Sequence, residues 1–209
     1  MELYRLMTRE DAKKILQIFK ISYPNSFTNM NIDEAKMFVN LWTESFLNIP
    51  TRIVFDAVKQ IIRNDTREFA PNIAQVRSQI VSGLSPDTDQ KAIHAWEEFR
   101  KFISNTSTWA TTEEEMPMYN KLDSITRRLY TYREAKNLAQ LDRNTLEYRR
   151  GEFIRLYRSI TIKENEKMMD EGNLVELAGG SDRFLSLGYT SEDLEQIEGK
   201  LLTSVTPQF

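Results

Sequence analysis

Apolar residues recur at three- and four-residue spacing through almost the whole of this 209-residue chain, the period of an amphipathic α-helix. Thr8, with Asp11 three residues on, reads as a helix start, and Ala12, Ile15, Leu16 and Phe19 then share one face. The run Ile21-Ser22-Tyr23-Pro24 ends that helix, because the residue before a proline is pushed out of helical conformation. A second helix is predicted from about Asn31, carrying Ala35, Phe38, Val39, Trp42 and Phe46. After the break at Asn48-Ile49-Pro50-Thr51, a third carries Val54, Ala57, Val58, Ile61 and Ile62. Pro71 reads as the first-turn proline of a fourth, with Ile73, Val76 and Ile80 on its apolar face.

The cluster Ser82-Gly83-Leu84-Ser85-Pro86-Asp87 marks a boundary. Beyond it the pattern predicts a helix around Ile93, Trp96, Phe99 and Ile103, and another over about 117–136 with Leu122, Ile125 and Leu129. A longer one is predicted over about 143–168, with Leu146, Tyr148, Phe153, Leu156 and Tyr157. Gly172, Gly179, Gly180 and Gly188 break up the remainder of the chain, and Ser191 opens a last short helix to about Leu202. The stretch Leu177-Ala178-Gly179-Gly180 reads equally as a processing tail or as a glycine turn ending a helix. The expected fold is all-α. A four-helix bundle-like domain occupies 1–84, a second helical region with a basic face 85–170, and a partly mobile acidic tail 171–209.

Residue content removes most catalytic classes. With no cysteine, thiol catalysis, disulfides and cysteine-held zinc or iron–sulfur sites are excluded. The single histidine, His94, excludes any histidine pair. The one Gly-Lys pair, Gly199-Lys200, lacks the Walker pattern: position 194 is Leu, and Leu201 follows the lysine. Gly-x-Gly-x-x-Gly and Gly-x-Ser-x-Gly are absent too. Glu113, Glu114 and Glu115 lack the alternating spacing of a calcium loop and read as a solvated acidic stretch. No eighteen apolar residues run together, and Met1-Glu2-Leu3-Tyr4-Arg5 does not open a signal peptide. The expectation is a cytoplasmic, non-enzymatic protein with no resident cofactor or metal and no membrane contact.

Charge is unevenly laid out. Residues 1–85 carry +2, 86–160 carry +1 and 161–209 carry −6, while 121–160 alone carry +5. Within that basic segment Arg127, Arg128, Arg149, Arg150 and Arg155 stand among Tyr130, Tyr132, Tyr148 and Tyr157. Arginines beside aromatics suit phosphate contact with base stacking, and they suit ordinary packing under a charged face equally. In the acidic tail, Phe184, Leu185, Leu187, Tyr189, Leu194 and Leu201 are the composition of a segment that folds on a partner.

One resemblance sharpens this. The order of Ser22-Tyr23-Pro24, Trp42, Pro50 with Val54, Ala57 and Val58, and then Glu68-Phe69-Ala70-Pro71-Asn72-Ile73-Ala74-Gln75-Val76 resembles the phage loader-and-inhibitor family that acts on DnaB-type replicative helicases. Leu122-Asp123-Ser124-Ile125 and Arg150-Gly151-Glu152-Phe153-Ile154-Arg155-Leu156-Tyr157 look like longer phage replication proteins. The resemblance implies an adaptor, acting in the bacterial host cell, that holds a hexameric helicase and delivers it to an origin-bound protein. It implies no ATPase, in keeping with the missing Walker pattern. By it, the tail residues named above are the helicase contact. The alternative is a replisome organiser that binds DNA through the basic 121–160 segment. The chain is longer than the short members of that family, which leaves open whether the 100–170 region or the tail meets the helicase.

Overall fold

Side-chain caps decide where the first helices begin. The computed structural model describes residues 6–85, 87–106, 111–191 and 194. Thr8 and Asp11 cap α1 (Arg9–Ser22) reciprocally, each satisfying a backbone amide of the other. Asn31 and Glu34 do the same for α2 (Ile32–Ser45), and Asn72 and Gln75 for the fourth helix. A 3₁₀ turn, Pro24–Phe27, separates the first two. Helix α3 (Thr51–Asn64) follows Pro50, whose carbonyl accepts the first intrahelical hydrogen bond. Helix α4 (Ile73–Leu84) begins two residues later than the sequence suggested. Asn72 supplies the acceptor an N-cap needs, so Pro71 stands before the cap rather than inside the first turn.

The chain is all-α, and no strand occurs among the described residues. It forms two compact units, one from Met1–Ser85 with Glu166–Phe209, the other from Pro86–Asn165. In the first unit α1 packs on α2 and α3, and α3 on α4. Phe19 sits edge-on to Tyr23, Phe38 and Trp42, at ring distances of 6.1, 6.4 and 5.3 Å. Phe38 stacks on Trp42 at 5.1 Å. Ile15, Val54, Val58, Val76 and Ile80 complete this interior, with Phe38 partly buried at its edge. The loop after α3 is tied down by polar contacts: Tyr23 donates its hydroxyl to Asp65 at 3.1 Å, and Arg67 grips the same carboxylate at 2.7 and 2.8 Å. Ser26 Oγ accepts the amide of Ala70 at 2.8 Å.

The second unit holds α5 (Thr88–Asn105), α6 (Thr112–Tyr119), α7 (Ser124–Leu129), α8 (Tyr132–Leu138) and α9 (Arg143–Asp170) up to Asn165. The single helix expected over 117–136 is thus three. Asp123 accepts the amides of Ile125 and Thr126, and Thr131 forms a capping box with Glu134, so two new helix starts interrupt one apolar period. Phe99, Tyr130 and Phe153 lie nearly parallel, with centroids 5.2–6.2 Å apart. Trp96, Phe102, Tyr119 and Tyr157 enclose them.

Glu115 overturns the expectation of a solvated acidic run. It is 2% exposed, accepts the Tyr132 hydroxyl at 2.7 Å and pairs with Lys136 at 3.2 Å. Glu113 and Glu114 remain exposed, and Glu114 commits its carboxylate to the amide of Thr111. A carboxylate can be covered here because α8 brings both its partners to it, Tyr132 in the first turn and Lys136 in the last.

Candidate functional site

The two groups of residues that the sequence marked for binding fall in different units. The first group belongs to the C-terminal segment. Asn48 donates to the carbonyl of Asp170 at 2.7 Å, and Arg77 bonds both the Asp170 carboxylate and, at 2.9 Å, the carbonyl of Ser45. Gly172, at φ +78°, turns the chain, and α10 (Leu174–Leu177) packs against α4. Gly179 and Gly180, at φ +85° and +117°, make the next turn, a geometry that side chains with a Cβ resist. The Gly-Gly pair is therefore a structural turn, and it leads into α11 (Ser181–Ser186).

Met169, Leu174, Leu177 and Phe184 are buried in the same core as α1–α4. The described part of the segment read as a mobile tail is thus packed, because its apolar residues find cover on the first unit. Phe184 lies 4.4 Å from Tyr189, centroid to centroid. The Arg52 guanidinium sits 4.9 Å above the Tyr189 ring and donates to the carbonyl of Gly188 at 3.2 Å. Leu194 is also buried, and Leu201 lies outside the described residues. Of the six residues assigned to a partner, Leu185 and Leu187 remain on the surface, each 37% exposed. A cleft of about 260 Å³ beside Leu187 and Tyr189 is lined by Asp56, Lys59, Gln60, Arg63 and Gln79.

The second group is the basic segment. Arg128 is ion-paired to Glu164, and Arg149 to Glu152 at 2.7 Å. Arg127, Arg150 and Arg155 have no ion pair among the described residues. Three of the four interleaved tyrosines serve the core: Tyr130 in the parallel stack, Tyr132 on Glu115, and Tyr157 buried against Phe153 at 5.7 Å. Burial, followed by the charge of Asp123, pushes the Tyr157 hydroxyl well above the ordinary tyrosine range. Tyr148 alone of the four stands out, at 78% exposure.

Sequence reading missed a groove along α5. It has a volume of about 590 Å³ and a floor of Ala95, Phe102, Met118, Leu122 and Tyr157. Lys91, His94, Lys101 and Lys121 stand at its rim, with Glu98 and Asp123. The stripe 91, 94–95, 98, 101–102, 105 on one helix face was the signal that could have shown it.

Residues 7–77 match the family model for the N-terminal domain of the gp39 family, phage helicase loader/inhibitor proteins. The match covers α1–α3 and the start of α4, which include the Ser22-Tyr23-Pro24, Trp42 and Phe69-Ala70-Pro71 features. It supports a phage helicase-associated replication protein. The likeness read at 122–125 and 150–157 falls outside the matched residues. No curated protein and no solved structure matches the chain. None of the described helices is long and apolar enough to cross a membrane.

Proposed function

We propose that the protein is a non-enzymatic phage replication adaptor that binds a DnaB-type hexameric replicative helicase and holds it for delivery to an origin-bound protein. The observation that carries this reading is the match of residues 7–77 to the gp39-family N-terminal domain, on a fold whose first four helices form one core. The adaptor role needs no nucleotide chemistry of its own, and the sequence offers no Walker loop. Its setting is the cytoplasm of the bacterial host.

The helicase contact is the exposed edge of the C-terminal segment. Leu185 and Leu187 follow the packed Phe184, so the same segment presents two leucines outward while anchored inward. Phe184 and Tyr189 set the shape of that edge, and the Arg52 contact holds it. Titration of the full chain against immobilised helicase tests this. Leu185→Asp with Leu187→Asp should weaken binding at least tenfold while circular dichroism and Tm stay near wild type. Unchanged affinity in a folded double variant would place the contact elsewhere.

A further inference from the structure

Helix α9 carries Phe153 and Tyr157 into the core of the second unit, and the opposite side of the same stretch faces solvent. Around the helix, Glu147, Tyr148 and Arg155 lie within about 60° of Gly151, so the four share one stripe. All four are exposed, Tyr148 at 78%. A glycine weakens a helix interior, and packing within the chain does not call for this one. No neighbouring heavy atom lies within 4 Å of the place its Cβ would take.

Charge is distributed unevenly about that glycine. Glu147 stands one turn before it and Arg155 one turn after, and neither has an ion pair among the described residues. The charges beside them are engaged: Arg149 pairs with Glu152 at 2.7 Å, and Arg158 with Asp89 at 2.7 Å. Arg150 projects about 100° away from the stripe. An acid and an aromatic thus precede the glycine, and a cation follows it. A parallel copy of the helix would set Glu147 against Glu147 and Arg155 against Arg155. An antiparallel copy sets the acidic flank of each helix against the cationic flank of the other. It also brings Arg155 of each copy to Tyr148 of the other, a cation–π pairing made twice. Such self-complementarity about one point is what a two-fold contact requires, and a foreign partner gives no reason for it.

We propose that this stripe is an interface with a second copy of the chain, in which two α9 helices cross antiparallel with Gly151 on Gly151. The missing side chain lets the two backbones approach, and the flanking residues set the direction. The contact spans about two turns on either side of the glycine, roughly 10 Å each way, so the dimer is weak and forms at high protein concentration. The inference goes beyond the adaptor reading and stands without it.

Sedimentation equilibrium of the full chain over a hundredfold range of concentration tests the proposal. The mass should climb from 24.6 kDa towards twice that value, and climb less at high salt. Gly151→Leu has open space for its side chain in the single chain and a better helix former in place of glycine, so circular dichroism and Tm should not fall. Its mass should nevertheless stay at one copy throughout. Arg155→Glu, on the surface, should behave in the same way. Because the chain has no cysteine, a single introduced one reports the register. Gly151→Cys should give disulfide-linked dimers under mild oxidation. Ser159→Cys should not, since the antiparallel register holds the two copies of position 159 about 24 Å apart along the helices. A wild-type mass of one copy across the whole range would overturn the proposal. So would undiminished association in folded Gly151→Leu or Arg155→Glu, or cross-linking at position 159 as fast as at 151.

Discussion

Two carboxylates govern much of the polar structure, and neither is interchangeable with its neighbours. Glu115 is covered and bonded to Tyr132 and Lys136, whereas Glu113 is exposed. Removing one member of a buried pair strands the other charge. Glu115→Ala should therefore lower Tm distinctly while Glu113→Ala leaves it near wild type, as a calorimetric comparison would show. Asp65 gives a pH signature. Its bond to Arg67, chiefly, holds its carboxyl far below the ordinary range. A carboxyl whose folded pKa is depressed stabilises the fold above the unfolded value of about 4, and that contribution fades as pH falls through the folded value. Wild-type stability should thus drop between about pH 4 and pH 2 more steeply than that of Asp65→Asn. Parallel pH curves for the two proteins would contradict the assignment. None of this was legible in the sequence: the partners of Glu115 lie seventeen and more residues away, and adjacency says nothing about which of three glutamates faces inward.

At the scale of elements, helix starts were readable where a cap stands beside a new apolar run. Thr8 with Asp11 and Asn31 with Glu34 announce α1 and α2 because the capping chemistry is local. The division of 117–136 into three helices was not readable, since Asp123 and Thr131 insert caps without interrupting the apolar spacing. Glycines separate into two kinds. Gly180 sits at φ +117°, so Gly180→Ala should cost about 1–2 kcal/mol. Gly151 lies inside α9 with open space where a Cβ would go, so Gly151→Ala should stabilise by about 0.5–1 kcal/mol. Chemical denaturation of the two variants checks both signs at once.

The C-terminal segment shows why a tail's composition does not reveal its resting place. Phe184, Leu185, Leu187 and Tyr189 are all apolar or aromatic in sequence, yet Phe184 is fully covered and the two leucines are not. Packing into the core of the first unit decides which is which. Phe184→Ala should cost about 3–5 kcal/mol, as expected for emptying a covered aromatic site, and this is measurable by urea denaturation. A loss under about 1 kcal/mol would mean that the segment is not part of the core.

For the molecule as a whole, the all-α class and the first helical core were legible because amphipathic period and caps agreed. The assignment of segments to units was less so. Residues 166–191 join the first unit across an intervening eighty residues, a closure that no local pattern encodes. The tyrosines of 130–157 looked like a stacking surface and are mostly core, while the groove of α5 lay on a helix read only for its buried face. One proposed function belongs to this scale: an adaptor for a hexameric helicase, supported by the match over 7–77.

The most direct measurement is the mass of the complex. The purified chain is mixed with a DnaB-type helicase, with and without ATP, and the eluting species is weighed by light scattering after size exclusion. An adaptor should give a stable species heavier than the helicase ring by a whole number of copies of this 24.6 kDa chain. A helicase peak of unchanged mass under both conditions would contradict it.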